Sequence, residues 1–354
     1  MNNIEKLKSA VADSGADALM VTGPANRYYF SGFPSSAGIL LATQNGAWFM
    51  TDSRYSEAAA KAIGNAEVRK TDRENTSAKL INALCAEFGV KTIGFEDAVV
   101  TYAEYLDFAK KLDAELLPAQ KVFSAQRAVK SREDLDKLIV VERIAEKSFT
   151  EILPLISTDI TERELAAELV CRFLKNGADD KSFDPIVVSG ARSSMPHGVP
   201  TDAKLQKGFL TIDFGAKKDG WCSDTTRTLC IGKPTDEMVR VYETVLLAQL
   251  AGIATARAGV TGGQVDGAAR DVIVSAGYGE YFGHGFGHGL GLEVHESPTA
   301  APTSDAPIPA GAVMSAEPGI YLPGRFGVRI EDVLYITETG NENITKLSKT
   351  MIII

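Results

Sequence analysis

The sequence predicts an α/β (α+β) chain of two domains, the second built from a duplicated half-domain. Three observations carry this. Up to about residue 122, short apolar runs alternate with segments of helical composition, as in a partly parallel sheet. Beyond that the elements read helix, helix, sheet, and then the same order again, so a pseudo-twofold axis is expected through the second domain. Finally, 354 residues suffice for two ordinary cores at ~150 residues per domain. The boundary is expected near residue 125, giving domains 1–125 and 126–354.

In the first domain, Asp17-Ala18-Leu19-Met20-Val21 reads as a buried strand. Gly38 to Asp52 reads as a hairpin around Asn45-Gly46, the strongest short turn signal. Tyr55 to Ile63 and Ala78 to Phe88 have helical composition. Thr92-Ile93-Gly94-Phe95 and Glu115-Leu116-Leu117 read as further strands. This domain contains no histidine and no catalytic constellation. In the second domain, Ser131-Arg132-Glu133-Asp134 is a capping box opening a helix to about Ile152, and Thr161-Glu162-Arg163-Glu164 opens another that closes at Gly177. Residues 185–231 are strand-rich. A helix then follows Pro234 to about Arg257, ending at Gly259; the box Thr261-Gly262-Gly263-Gln264 opens a helix ending at Gly277, and residues 312–337 are strand-rich again.

Composition is that of an ordinary soluble globular chain, 45% hydrophobic and 23% charged. Acidic residues outnumber basic ones 46 to 37, a net charge of −9 that repels a phosphate backbone and argues against a nucleic-acid partner. No apolar run approaches the ~18–20 residues of a membrane span, and Met1-Asn2-Asn3-Ile4-Glu5-Lys6 has no apolar signal core. The cysteines at 85, 171, 222 and 230 make no CxxC pair, so a reducing cytoplasm is the expected location.

The chemistry is concentrated in two hairpins. In the first, the apolar strand Leu210-Thr211-Ile212-Asp213-Phe214-Gly215 leads into the turn Lys217-Lys218-Asp219-Gly220, and Trp221-Cys222-Ser223-Asp224-Thr225-Thr226-Arg227 returns. A turn centred between 218 and 219 sets Asp213 opposite Asp224, with Cβ atoms ~4.5–5.5 Å apart. In the second, Val313-Met314-Ser315-Ala316-Glu317 and Gly327-Val328-Arg329-Ile330-Glu331-Asp332 flank a loop centred on Gly324, which sets Glu317 opposite Glu331. Facing carboxylates on an apolar sheet repel and are costly to bury; a multivalent cation between them removes that cost. One such pair reads as a solvated face. Two pairs at matching positions of a repeat read as a site. All four histidines (His197, His284, His288 and His295) fall in the same domain, with His284 and His288 at even spacing on one face of an extended, glycine-rich run.

Oxygen ligands with one or two imidazoles suit Mn²⁺, Co²⁺, Fe²⁺ or Zn²⁺. Four carboxylates fit two metals ~3.5–4 Å apart, a centre that makes hydroxide near neutral pH and polarises a carbonyl. Amide hydrolysis is the natural reaction class. Competing motifs fail: His295-Glu296 begins HExxH but position 299 is Thr, and there is no GxSxG elbow, GxGxxG frame or Walker loop. Cys222 shares the strand face of Asp224 and reads as small packing.

Five blocks resemble the proline-peptidase branch of the pita-bread metallopeptidases, the Xaa-Pro aminopeptidases and Xaa-Pro dipeptidases (prolidases). They are Ser182-Phe183-Asp184-Pro185-Ile186-Val187 with Met195-Pro196-His197-Gly198; Thr211 to Gly215; Ser223 to Thr228; Gly283 to Glu296; and Glu317-Pro318-Gly319-Ile320-Tyr321 with Gly327 to Asp332. Asn26 to Phe33 and Thr51 to Tyr55 resemble that family's creatinase-type N-terminal domain. The resemblance implies a creatinase-type α/β domain followed by a pita-bread catalytic domain. It implies Asp213, Asp224, His288, Glu317 and Glu331 as metal ligands for two divalent ions, Mn²⁺ first among Mn²⁺, Co²⁺, Zn²⁺ and Fe²⁺. The choice of His288 comes from the resemblance alone. It further implies substrate and transition-state contacts for His197, His284 and His295, proton transfer by Glu317, and an orienting role for Arg329. The expected partners are short peptides with proline second and another copy of the chain, with no nucleic acid and no membrane. Many prolidases of this size carry Arg four residues after the position of His295 to bind a dipeptide carboxylate; Thr299 here leans toward longer peptides. The alternatives are a creatinase-like amidinohydrolase and a catalytically inactive peptidase-like binding module. The intact set of five ligands argues against both, since relatives of either kind lose ligands.

Overall fold

Residues 2–354 are described in a computed structural model, and the chain divides into one unit ending at Arg127 and a second from Ala128 to Ile354. Chain order in the first unit is α1 (Asn3–Ser14), β1 (Ala18–Val21), α2 (Pro24–Ser31), β2 (Ile39–Ala42), β3 (Ala47–Thr51), α3 (Ser56–Ala62), β4 (Glu67–Lys70), α4 (Ser77–Phe88), β5 (Thr92–Phe95), α5 (Tyr102–Lys111), β6 (Glu115–Pro118) and α6 (Gln120–Ala128). One six-stranded mixed sheet runs β4-β3-β2-β1-β5-β6, with β1 antiparallel to β2 and parallel to β5. Strand β1 is buried throughout, as its unbroken apolar run requires. The β2–β3 hairpin forms, but Ala42 pairs with Ala47 and Thr43 N–H donates to Gly46 O, so its turn centres on Gln44-Asn45, one residue before the expected Asn45-Gly46. Asp17 accepts from the backbone N–H groups of Lys91 (2.8 Å) and Thr92 (2.9 Å), and these bonds hold its carboxyl below the usual range.

The second unit opens with α7 (Arg132–Ile152) and α8 (Glu162–Lys175), each entered through a reciprocal capping box. Strands β7 (Asp180–Lys181), β8 (Ile186–Ser189), β9 (Gly208–Phe214), β10 (Ala216–Lys218), β11 (Trp221–Cys222) and β12 (Thr225–Ile231) follow. The second half repeats the order with α9 (Asp236–Thr255) and α10 (Gly262–Ser275). It continues through β13 (Gly287–Gly289), β14 (Glu296–Ala300), β15 (Val313–Ala316), β16 (Gly319–Leu322), β17 (Phe326–Arg329), β18 (Asp332–Ile336) and β19 (Asn341–Asn343). The sheets run β12-β9-β8, β11-β10-β7, β14-β13-β15-β18-β19 and β16-β17. An apolar core including Val241, Val245, Ala269 and Ile273 of α9 and α10 lies against Met314, Ile320, Val328 and Leu334 of the second-half strands.

Both hairpins hold one register across a break. In the first, Asp213 faces Thr226 and Lys217 faces Cys222. The turn is Asp219-Gly220, with both residues at positive φ (48° and 80°), the combination that two-residue hairpins of matching twist require. This centre lies one residue beyond the expected one, so the expected direct opposition of Asp213 and Asp224 is corrected: Asp224 is the diagonal neighbour, on the same face because the shift is even. In the second hairpin, Gly319 faces Arg329 and Ala316 faces Asp332, a register centred on Gly324 that sets Glu317 level with Glu331. Between the two ladders the pairing opens. Pro318 has no N–H to give, while Glu317 N–H donates to Phe286 O (2.8 Å) and Glu331 N–H to Thr226 O (3.1 Å).

Arg227, 2% exposed, ties the hairpins together. It donates to Glu331 O (2.5 Å), Leu347 O (2.8 Å) and Ser348 O (3.0 Å), and pairs with Asp332 at 2.8 Å.

Candidate metal centre

Four carboxylates and one imidazole converge where the two ladders open. One ligand atom each from Asp224, His288 and Glu331 lie within 4.8 Å of one another. His288 Nε2 is 3.0 Å from Glu317 Oε1 and 3.7 Å from Asp224 Oδ2. Asp213 is close enough that its charge acts on Asp224 and Glu331. Strand β13 brings His288 in. Gly287 permits this, since a Cβ there would lie 2.1 Å from Ser315 O. Ser315 Oγ then accepts from His288 N–H (3.0 Å) and donates to Glu317 Oε1 (3.0 Å), locking two members of the cluster to each other.

Burial, followed by the charges of Glu331, Asp213 and Glu317, pushes the Asp224 carboxyl well above the usual carboxylate range. Burial, then Glu317 and Asp213, does the same to Glu331. Burial also raises Asp213, with the Arg329 guanidinium opposing it. Glu317 is the exception. Burial favours its neutral form, but the hydrogen bond and charge of His288 hold it down at about 2. Burial in turn would lower His288, and Glu317 reverses that.

Two carboxylate oxygens of the cluster, Asp213 Oδ1 and Glu331 Oε1, are buried without a hydrogen-bond partner among the described residues. Buried acceptors are ordinarily satisfied, and clustered buried carboxylates need a compensating charge. Oxygen donors with an imidazole fit a divalent first-row ion. His288 is prepared for such a role. Its Nδ1 lies 3.1 Å from Gly289 O, an acceptor only, so Nδ1 carries a proton, and Nε2, which donates to Glu317 in the absence of metal, is the atom left to ligate once its own proton leaves.

The remaining predicted residues differ in what they can offer. Arg329 pairs with Asp213 Oδ2 (2.7 Å) and donates to Tyr321 Oη (2.7 Å), Thr226 Oγ1 (3.1 Å) and Pro196 O (3.2 Å). It holds an acid in place. His284 has Nδ1 2.9 Å from Gly285 O and Nε2 3.0 Å from Tyr321 Oη, so both ring nitrogens are engaged within the protein; burial lowers its pKa. His295 packs edge-on against His288 with ring centroids 4.3 Å apart, and its ring nitrogens have no hydrogen-bond partner among the described residues. Burial, then the neighbouring His288, lowers its pKa, which favours the neutral ring. His197 is exposed, on the turn after Met195, near enough for its charge to act on His284 and His295. Thr299 pairs with His288 across β13–β14, and its hydroxyl bonds Ser304 Oγ (2.8 Å). Sequence reasoning missed Tyr321, Ser315 and Thr226. Ser315 and Thr226 sit two residues from Glu317 and Asp224, so the strand period was the available signal. For Tyr321 it was the Gly324-centred register, which sets it diagonal to Arg329.

Residues 136–338 match metallopeptidase family M24 and residues 3–129 the creatinase/prolidase N-terminal domain. An uncharacterised peptidase, YqhT, of Bacillus subtilis (strain 168) is 41% identical over 99% of both chains. A solved structure described as an Xaa-Pro dipeptidase from Bacillus anthracis superposes with a TM-score of 0.95 at 40% identity, covering 99% of each chain. An X-Pro aminopeptidase from Thermotoga maritima MSB8 superposes at 0.90 with 36% identity, covering 98% of this chain and 100% of the other. A family defined by metal-dependent peptide hydrolysis accounts for a buried cluster of acids that a cation would complete, and the chain belongs to metallopeptidase family M24, with a creatinase/prolidase N-terminal domain and a pita-bread catalytic domain.

Proposed function

We propose that the chain hydrolyses the bond before proline at the N-terminus of short peptides, with two divalent ions held by Asp213, Asp224, His288, Glu317 and Glu331. The observation that carries this reading is the pair of unpartnered buried oxygens, Asp213 Oδ1 and Glu331 Oε1, within a cluster whose other acids repel them. When bound, the ions supply Lewis-acid polarisation of the scissile carbonyl and lower the pKa of a water.

The protein's own groups do the rest. Glu317 takes the proton of the attacking water and delivers it to the proline nitrogen, which must be protonated because it leaves as a secondary amine. Its low pKa belongs to the ion pair with His288 and is released once His288 gives up its proton to serve as a ligand. His295, with free ring nitrogens, donates a hydrogen bond to the developing oxyanion. His197, on its exposed turn, contacts the peptide. Arg329 fixes the orientation of Asp213, and Tyr321 joins Arg329 to His284.

Manganese as the native ion, a homodimer and a cytoplasmic location belong to the same reading. Four free cysteines favour the last, and among the described residues no helix is long and apolar enough to cross a membrane. Thr299, where a dipeptidase would place a cation, favours peptides longer than two residues. The test is one purified sample assayed on an Xaa-Pro dipeptide and an Xaa-Pro-Xaa tripeptide, with Mn²⁺ and after chelation. Metal-dependent cleavage, faster on the tripeptide, is expected. Full turnover in chelator would refute the metal role, and no cleavage of either peptide would refute the substrate class.

A further inference from the structure

We infer that Gln249 is a positioning residue of the metal centre, fixing the spacing of Glu317 and Glu331 from outside the ligand set; this rests on the reading of those two acids as ligands. Gln249 lies on α9 and is fully buried. Its Nε2 donates to Ala316 O at 3.1 Å and to Ile330 O at 3.3 Å. Both partners are carbonyls and can only accept, so the amide can face them only with its NH2 end.

Ala316 and Ile330 directly precede the two acids, one on each strand of the second hairpin. They stand where the ladder opens. The backbone does not close that opening: Pro318 lacks an N–H, and the N–H groups of Glu317 and Glu331 turn outward to Phe286 O and Thr226 O. One side-chain amide therefore spans the gap from which both carboxylates project. A cross-brace at that point sets how far apart the two strands, and so the two acids, are held.

The other end of the amide sharpens the argument. Gln249 Oε1 is buried without a hydrogen-bond partner among the described residues. An apolar side chain of similar volume, such as Met, would bury no unmet acceptor there. What Gln adds is the two-pronged donor. If that donor served only to satisfy two carbonyls, its loss would lower stability and leave the affinity for metal alone. If it sets the spacing of the ligands, affinity falls with it.

The experiment compares the full-length wild type with Gln249→Met, Gln249→Glu and, as a core substitution on the same helix, Val245→Ala. Val245 is also fully buried but touches none of the acids' backbone through a hydrogen bond. Each metal-free protein is titrated with Mn²⁺ by calorimetry and with Co²⁺ by visible absorption, and its Tm is read in chelator. Gln249→Met is expected to bind Mn²⁺ ~10–100-fold more weakly, as residues that orient ligands typically do, with an altered Co²⁺ spectrum. Val245→Ala should lower Tm and change neither. Should Gln249→Met fail to fold, Gln249→Glu keeps the shape while replacing the NH2 donor, and the same loss is expected. Mn²⁺ affinity within about twofold of wild type and an unchanged spectrum in the variants would overturn the inference. A wild type that takes up no divalent ion would overturn the metal reading itself, and this inference with it.

Discussion

Asp224→Asn separates the two states of the metal centre because its effect should reverse between them. Without metal, Asp224 and Glu331 present ligand atoms no more than 4.8 Å apart. Two fully ionised carboxylates at that separation would repel by about 3.5 kcal/mol at an effective dielectric constant near 20, and the upward pKa shifts of both acids relieve part of this by favouring a retained proton. The amide keeps the shape and removes that repulsion, so the metal-free variant should be as stable as the wild type or more so. With metal at ~100-fold excess over its Kd, the wild type gains about 2.7 kcal/mol, because the ion binds only the folded chain. At about 2–4 °C per kcal/mol for a catalytic unit of this size, that is a rise of about 5–11 °C in Tm. Asn is neutral and a weaker ligand than a carboxylate, so the variant should lose most of this rise and essentially all activity. The assay is thermal unfolding at neutral pH, in chelator and in Mn²⁺, alongside metal content. A variant destabilised in chelator by as much as in Mn²⁺ would show that Asp224 is an ordinary structural acid and refute the reasoning.

Other expectations follow from single contacts. His295→Ala should keep both metals and lose ~10²–10³-fold in kcat, the cost of one oxyanion donor; near wild-type turnover at full occupancy would remove its transition-state role, and lost metal would make it a ligand. Glu317→Gln should lose more, since it removes ligand charge and proton carrier together, and turnover above that of His295→Ala would contradict this. Arg227→Met should cost ~3–5 kcal/mol in denaturant unfolding, because Asp332 is left buried opposite a lost partner; a change below about 1 kcal/mol would show that Lys349, 2.8 Å from Asp332, suffices. Asp17 lies below its unfolded pKa, so its contribution is present above pH ~4 and lost as pH falls through the folded value; Asp17→Asn should narrow the acid-side stability difference, which urea unfolding at pH 7 and pH 3 would measure.

The helices of the catalytic half were legible because their caps are local chemistry. Ser131, Thr161 and Thr261 each exchange hydrogen bonds with the residue three positions on, and that pattern is written in the sequence. Hairpin faces were legible for the same reason, as side chains alternate with a period of two. The register of the first hairpin was not read correctly, although Asp219-Gly220 announced it: placing that dipeptide at the centre of the turn gives Thr226 opposite Asp213 at once. Part of the supporting cast was hidden for a different reason. Gln249 reaches the carbonyls of Ala316 and Ile330 from a helix, so no spacing in the chain marks it, whereas Tyr321 lies diagonal to Arg329 in the Gly324-centred register and could have been read from it. Of the four histidines, sequence spacing alone could not choose a ligand. The Nδ1 bond of His288 to Gly289 O, which turns Nε2 toward the acids, is visible only in three dimensions.

The proposed ligands are shared between the two halves of the catalytic unit, and that bears on how the protein would mature. Asp213 and Asp224 belong to the first half, His288, Glu317 and Glu331 to the second, and the Arg227 clasp closes over carbonyls as distant as Ser348. Bringing residues so far apart in sequence together requires closing long loops before any local reward is collected. An ion cannot seed that process, because a nascent chain lacking the second half offers it only two acids. On the proposed ligand set, metal is expected to enter only after the two halves have closed. A cell that synthesises this chain while starved of the ion should accumulate a folded, protease-resistant apoprotein that switches on when metal returns, with no new synthesis.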